Sequence, residues 1–348
     1  MTNMDFTQVE LQQLITHHVG NKLRDERYFL SSEATTFEEE TKNFLLKYFL
    51  LPARAEEFYS FTHSVKLELN DIFSVVENIF SSPYKFIPNS QNIAKLLYEQ
   101  SMHPKIKEGE LNIAYFSKVI LDDEVVDAIG IFKSETDVPF LKMKNEKSKF
   151  NINHDYGFEI KGIDKGCIIF NTDPQNGYKI LIIDNANKSA EAQYWKDDFL
   201  KVKPLANEFH QTNQFLGIAK DFVTKKLSEE FEVSKADKID LLNRSVEYFK
   251  THESFDKKEF EKDVFQDSGM IKSFRSFDSN YREENDVELT DNFNISPQAV
   301  KKQARIFKSV LKLDKNFHIY IHGNKELIEQ GIEKDGRKFY KIYFEKEE

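Results

Sequence analysis

Lys301, Lys302, Arg305, Lys308 and Lys312 form a run whose type and spacing suit one defined chemistry, the neutralisation of phosphate oxygens. At about 100° per residue a helix brings Lys301, Arg305, Lys308 and Lys312 within roughly 60° of one another, with Val300, Phe307, Val310 and Leu311 on the other side. From Lys301 to Lys315 six cations stand against the single acid Asp314, a local charge of +5 in a chain of net charge −10. Such a stripe would meet about four phosphates, with binding that weakens steeply as salt is added. Just upstream, Asp278 to Asp291 holds six acids against Arg282 and little apolar content. It is predicted to be a solvated loop or linker, near enough in sequence to fold over the basic stripe and compete with phosphate.

Other residues invite chemistry with less support. Asp127, Lys133 and Glu135 suggest a metal-dependent nuclease, although the order here is Lys-Ser-Glu and not acid-x-Lys. Their even spacing puts them on one strand face, opposite Ala128 and Phe132, and the plain reading of that face is a solvated one with a cross-strand ion pair. His17, His18, His63 and His103 show no i, i+3 or i, i+4 spacing, and His318 and His322 would lie about 13 Å apart on a strand. His18 reads as a structural residue where a strand enters a turn, with His17 facing the other way. Neither a metal nor another cofactor is expected, since the phosphate-cradling, nucleophile-elbow and dinucleotide motifs do not occur. The aromatic residues Phe158, Phe170, Tyr178, Tyr194 and Trp195 lack interleaved arginine and read as core.

The elements that must position these residues follow from local pattern. Phe6 to His18 reads as an edge-leaning strand running into a turn at Gly20-Asn21. Thr35 or Thr36 can cap a helix ending at Pro52, Asn70 one to Phe80, and Ser90 one to Gln100. From Gly109 the period becomes that of a strand, and Asp122-Asp123 makes a hairpin turn before Val125 to Lys133, predicted as the centre of an antiparallel sheet. Further strands fit Phe140 to Met143, Phe158 to Ile160, Cys167 to Asn171 and Tyr178 to Asp184. After Leu200 the segments are longer, charged and helix-favouring: Asn207 to Phe231, Ser234 to Thr251, Asp256 to Gln266, and Ser296 to Leu313 with Ser as cap and Pro297 in the first turn. Two short strands, Phe317 to Ile321 and Phe339 to Phe344, close the chain. The expected fold class is α+β, with an N-terminal domain of helices and antiparallel sheet over 1–204 and a mainly helical domain over 205–348, the boundary falling near Pro204.

Composition restricts the class. With 32 Phe and 14 Tyr but only 12 Gly and 8 Pro, the chain has the material for a large aromatic core and little for disorder. One cysteine, Cys167, excludes an intramolecular disulfide and a cysteine-based zinc cluster. A cytoplasmic protein is expected, because the start lacks the features of a signal peptide and no stretch is long and apolar enough for a membrane span. The net charge of −10 argues against coating of DNA along the whole chain and leaves a local basic patch or a protein partner as routes to nucleic acid.

The order and spacing of several blocks carry a resemblance: His18-Val19-Gly20-Asn21-Lys22, Gly109-Glu110-Leu111, Val126 to Glu135, Lys165 to Asn171, Gly177 to Leu181, Tyr194-Trp195 and Tyr340 to Phe344. With these the chain resembles the bacterial nucleoid-associated proteins, in the branch found in Bacteroidetes-type bacteria. The resemblance implies a non-enzymatic nucleoid protein and, in some members, a link to a type II topoisomerase. Three classes of function therefore stand: a DNA-binding architectural protein acting on duplex DNA through the basic helix, an adaptor that reaches DNA only through a protein, and a divalent-metal nuclease.

Overall fold

Cys167 to Phe170 and Ile180 to Ile183 are apolar at consecutive positions, which suits strands covered on both faces. The computed structural model describes residues 4–53, 57–147, 149–160, 162–184, 194–285, 287–304, 310–313, 317–320 and 327–346. The chain divides into two compact units, Met1–Leu205 and Ala206–Glu348, within an α+β fold.

The first unit is built on a nine-stranded antiparallel sheet. Its strands are β1 (Met4–Asp5), β2 (Glu10–Val19), β3 (Tyr28–Phe29), β4 (Phe58–Phe61), β5 (Gly109–Leu121), β6 (Glu124–Ser134), β9 (Lys165–Phe170), β10 (Lys179–Asp184) and β11 (Val202–Pro204), while β7 (Val138–Glu146) and β8 (Lys149–Gly157) form a separate hairpin. The order is β11-β4-β10-β9-β6-β5-β2-β3, with β1 also on β5. The β5–β6 hairpin turns at Asp122 and Asp123, both at positive φ, as the two-residue turn that matches strand twist demands.

Both sheet faces are covered. Helix α1 (Glu39–Leu50) packs on Ala114, Phe116, Phe132 and Ile168; α2 (Asp71–Ser81), α3 (Phe86–Gln100) and a π-helical segment Tyr194–Leu200 pack on Ile113, Ile129, Ile131 and Ile169. Phe132 lies over two glycines: a Cβ on Gly130 would come within 2.2 Å of its ring and one on Gly166 within 2.7 Å. Lacking side chains there, the sheet lets Phe132 stack on Phe49 of α1 at 4.7 Å.

Several expected boundaries shift for identifiable reasons. Asn70 caps α2 as expected, accepting from the Phe73 N–H at 3.1 Å. Ser90 is not a cap: α3 begins at Phe86, with Pro88 in the first turn where its missing N–H costs nothing. Helix α1 starts at Glu39, because Thr35 is held on β2 by bonds to Leu14 O (2.8 Å) and Thr16 Oγ1 (3.1 Å). Phe158 to Ile160 is not a strand; β8 precedes it, and Phe158 is exposed whereas Phe170, Tyr178, Tyr194 and Trp195 are buried.

In the second unit, α4 (Glu208–Asp221) is capped by Asn207 and continues through a π turn to Leu227–Glu230. Ser234 and Asp237 form a reciprocal capping box on α5 (Lys235–Thr251). Next come β12 (Ser254–Asp256), α6 (Lys257–Phe260) with its π turn Glu261–Phe265, α7 (Ser268–Glu284), β13 (Asn292–Asn294) and α8 (Pro297–Ala304). Phenylalanine fills the core: the Phe215 ring has Phe255 at 4.2 Å, Phe260 at 5.1 Å, Phe274 at 5.9 Å and Phe249 at 6.0 Å.

Three expectations fail in this unit. The acidic segment is not a loop from its start, because Asp278 to Glu284 complete α7 and Asp278 is buried between Lys257 (2.6 Å) and Arg282 (2.8 Å). The basic helix does not run to Leu313: α8 ends at Ala304 among the described residues, and Val310–Leu313 is strand β14, paired with β15 (Phe317–Tyr320). Val310-Leu311 and the turn-forming Asp314 and Asn316 favour a hairpin over a longer helix. Among the described residues the closing strands are therefore four, since β16 (Ile328–Ile332) lies in the segment expected to be a connector and pairs with β17 (Lys338–Ile342).

Candidate nucleic-acid interface

Helix α8 is fixed at its start by two neighbours. Ser296 accepts from the Ala299 N–H at 3.4 Å, and its own N–H donates to Thr212 Oγ1 at 3.0 Å. Ala299, Val300 and Gln303 are buried, with Gln303 Nε2 donating to Asn213 Oδ1 at 2.7 Å. With that face committed, Lys301 and Lys302 stand in solvent. Lys302 Nζ lies 5.1 Å from the Phe209 ring centroid, and Lys301 borders an open groove of about 770 Å³ that Lys250 and His252 also line.

Of the five expected site residues, then, Lys301 and Lys302 are adjacent and exposed on one helix. Arg305 and Lys308 lie outside the described residues, and Lys312 is on strand β14, so Lys301 and Lys312 do not share one continuous helix. The charge itself is broader than that run. From Pro297 to Lys346 the sequence has 12 Lys and Arg against 6 Asp and Glu, in a chain otherwise strongly acidic. Of the six acids expected to screen the stripe, Asp278 and Asp291 are engaged elsewhere, both flanking Lys257 and Arg282.

The Asp127, Lys133 and Glu135 face is closed to solvent at Lys133, with Asp127 and Glu135 half-buried. Lys133 is 0% exposed, donates to Lys107 O at 2.6 Å and pairs with Glu135 at 3.0 Å. Burial pulls the Lys133 ammonium pKa down and Glu135 opposes the shift. Asp127 instead accepts from Tyr115 Oη at 2.6 Å, and burial with this bond raises the tyrosine well above its usual range. Eight positions along an extended chain separate Asp127 from Glu135 by roughly 26 Å, too far to share a metal.

A row that sequence reading missed crosses the sheet here. His17 faces Leu111, Leu111 faces Lys133, Lys133 faces Lys165, and Lys165 faces Asp184. Lys165 is 2% exposed, 3.8 Å from Asp184 Oδ1 and 5.6 Å from the Tyr194 ring centroid. His17 Nδ1 accepts from the Ser31 N–H at 3.1 Å, which assigns the ring proton to Nε2, 3.0 Å from Ser90 Oγ. Burial lowers its pKa to about 4, so the ring is neutral. The structural histidine of the pair is thus His17, while His18 sits by Glu108 and Glu110 at 3.4 and 3.5 Å. No local signal reveals such a row, because register is a property of several strands at once.

Among the described residues the remaining histidines do not assemble with these. His63 and His103 each accept from a backbone N–H two residues on, and His322 lies outside the described residues. Among the described residues, His252, Glu259 and Asp263 bring ligand-type atoms within 4.8 Å of one another, a set that spacing did not flag. Two of the three are solvent-exposed, and Glu259 already accepts from Tyr248 Oη at 2.9 Å. Among the described residues no helix is long and apolar enough to cross a membrane.

Comparison with known proteins bears on most of the chain. The NA37 family model, described as nucleoid-associated protein YejK, matches residues 15–337. No curated protein matches the chain significantly. The match takes in most of the main sheet, the phenylalanine core and the basic segment from α8 to Arg337, and the chain belongs to this family of nucleoid-associated proteins.

Proposed function

We propose that this protein is a non-enzymatic cytoplasmic component of the bacterial nucleoid that touches duplex DNA locally, through Lys301, Lys302, Arg305, Lys308 and Lys312. The observation that carries the reading is the exposure of Lys301 and Lys302 on a helix whose other face is buried, at the start of the most basic part of an acidic chain. Contact of this size engages about four phosphates and carries no base readout, so the binding is sequence-tolerant and salt-sensitive. Acid elsewhere on the surface repels the duplex and confines it to this segment.

The net charge of −10 also favours a second reading, in which the protein reaches DNA through a nucleoid protein such as the type II topoisomerase that the family resemblance implies. Fluorescence anisotropy of a short labelled duplex distinguishes the two. Binding at low salt that is lost in Arg305→Glu/Lys308→Glu supports direct contact, whereas no binding at low salt leaves the protein partner as the route.

A further inference from the structure

The β7–β8 hairpin stands apart from both cores. Among the described residues its strands pair only with each other, from Val138 opposite Gly157 to Glu146 opposite Lys149. Residues directly opposite in such a ladder share a face, so the register sorts the hairpin into two sides. One side carries Lys142, Lys144, Lys149, Asn151 and Asn153, with Lys142 bonded to Asp155 at 2.5 Å. The other carries Leu141, Met143, Phe150, Ile152 and Tyr156, and has no formally charged residue. These five side chains are 59% to 68% exposed.

A two-stranded ribbon is at best marginally stable alone in water, and an apolar face of this extent on a soluble chain marks a contact surface. We propose that this face is a self-association surface, occupied by the same face of a second copy of this chain. Charge is the first argument. The face has none, so a copy meets it without like-charge repulsion, while every lysine and acid of the strands stays on the outer side. Shape is the second. A two-fold axis parallel to the central Met143–Ile152 rung sets Met143 on Met143 and Ile152 on Ile152, with the Leu141–His154 rung of one arm over the Asn145–Phe150 rung of the other, so that the apolar centre of the face meets its own copy. Area is the third. The five exposed side chains offer roughly 600 Å² per copy, and two arms therefore bury roughly 1,200 Å², the lower end of specific interfaces. The pairing is that of two small sheets stacked face to face, and its strength is that of a reversible dimer.

Sedimentation velocity of the full chain, from about 1 to about 100 μM, tests this. The wild type shifts from monomer to dimer across the range, and Leu141→Lys/Ile152→Lys, which sets like charges against each other across the axis, weakens dimerisation by roughly 100-fold or more. Lys144→Ala, on the outer face, leaves the equilibrium unchanged. A second measurement uses the burial of the single native cysteine, Cys167. Under mild oxidation Met143→Cys yields a cross-linked dimer and Lys144→Cys does not. A wild type that stays monomeric at the top of the range, a dimer indifferent to Leu141→Lys/Ile152→Lys, or an arm that instead carries the protein onto lipid vesicles each overturns the proposal.

Discussion

The two units treat buried charge in opposite ways. In the first, the cation is inside: Lys133 and Lys165 are sealed in the sheet with Glu135 and Asp184 as partners. In the second the anion is inside, with Asp278 and Glu261 each 1% exposed and held by Lys257, Arg282 and Arg275, which reach in from the surface. The contrast teaches where positive charge is free to act. Lysines that complete a sheet cannot leave it for a phosphate, whereas the second unit keeps its cations outside, and at α8 they have open solvent before them.

Substitutions can break or sharpen this contrast. The largest effect is expected where the second unit depends on rings and not on charge. Phe215→Ala removes the centre of the phenylalanine cluster and should cost about 3–5 kcal/mol. The sole tryptophan, Trp195, is buried in the first unit, so its fluorescence transition in denaturant should stay in place while the helical signal melts early. A shift of both transitions together would show that the units do not melt independently.

Next is the buried cation. Lys133→Ala leaves Glu135 half of a broken pair and should destabilise the first unit by roughly 3 kcal/mol, read from Trp195, whereas Lys133→Met/Glu135→Leu should come out near neutral. Equal losses in both variants would mean that packing, and not the unpaired acid, sets the cost. A third effect depends on pH. The His17 pKa is lowered to about 4 from 6.5, so the folded state binds its proton less readily than the unfolded chain. Stability from this group is complete above about pH 6.5 and declines as pH falls toward 4, by up to roughly 3 kcal/mol. His17→Gln, followed by Trp195 between those values, should flatten that decline. The smallest effect on folding is at α8: Lys301→Glu/Lys302→Glu should move thermal stability of the second unit by about 0.5 kcal/mol or less, because neither side chain is buried.

What could be read from sequence was local. Asn70 and Ser296 cap where expected, and the segments expected from Asn207 and Ser234 start there, because a cap is decided within four residues; Asp122-Asp123 turns as expected because the turn type selects its own residues. What was missed needed partners far along the chain. Lys133 and Lys165 look like surface residues until β6 and β9 are in register. Helix α7 was hidden by its acids, since Asp278 reads as solvated until Lys257 and Arg282 close on it. The hairpin β14–β15 overrode a helical pattern at Val310 to Leu313, which moved Lys312 off the helix that held Lys301. In the arm, alternation of Phe150, Ile152, His154 and Tyr156 is plain in the sequence, but an apolar face that finds no cover within its own hairpin is visible only in the structure.

The most direct test of local DNA contact is the salt dependence of duplex binding by the wild type, by Lys301→Glu/Lys302→Glu, and by Lys85→Glu, which alters an exposed lysine of the first unit. Contact with about four phosphates predicts a log–log slope near −3.6, or roughly a 100-fold loss between 50 and 200 mM salt. The slope should fall by about two in the α8 variant and stay unchanged in Lys85→Glu. A wild-type slope near zero, or an α8 variant that binds with the wild-type slope, would contradict the account.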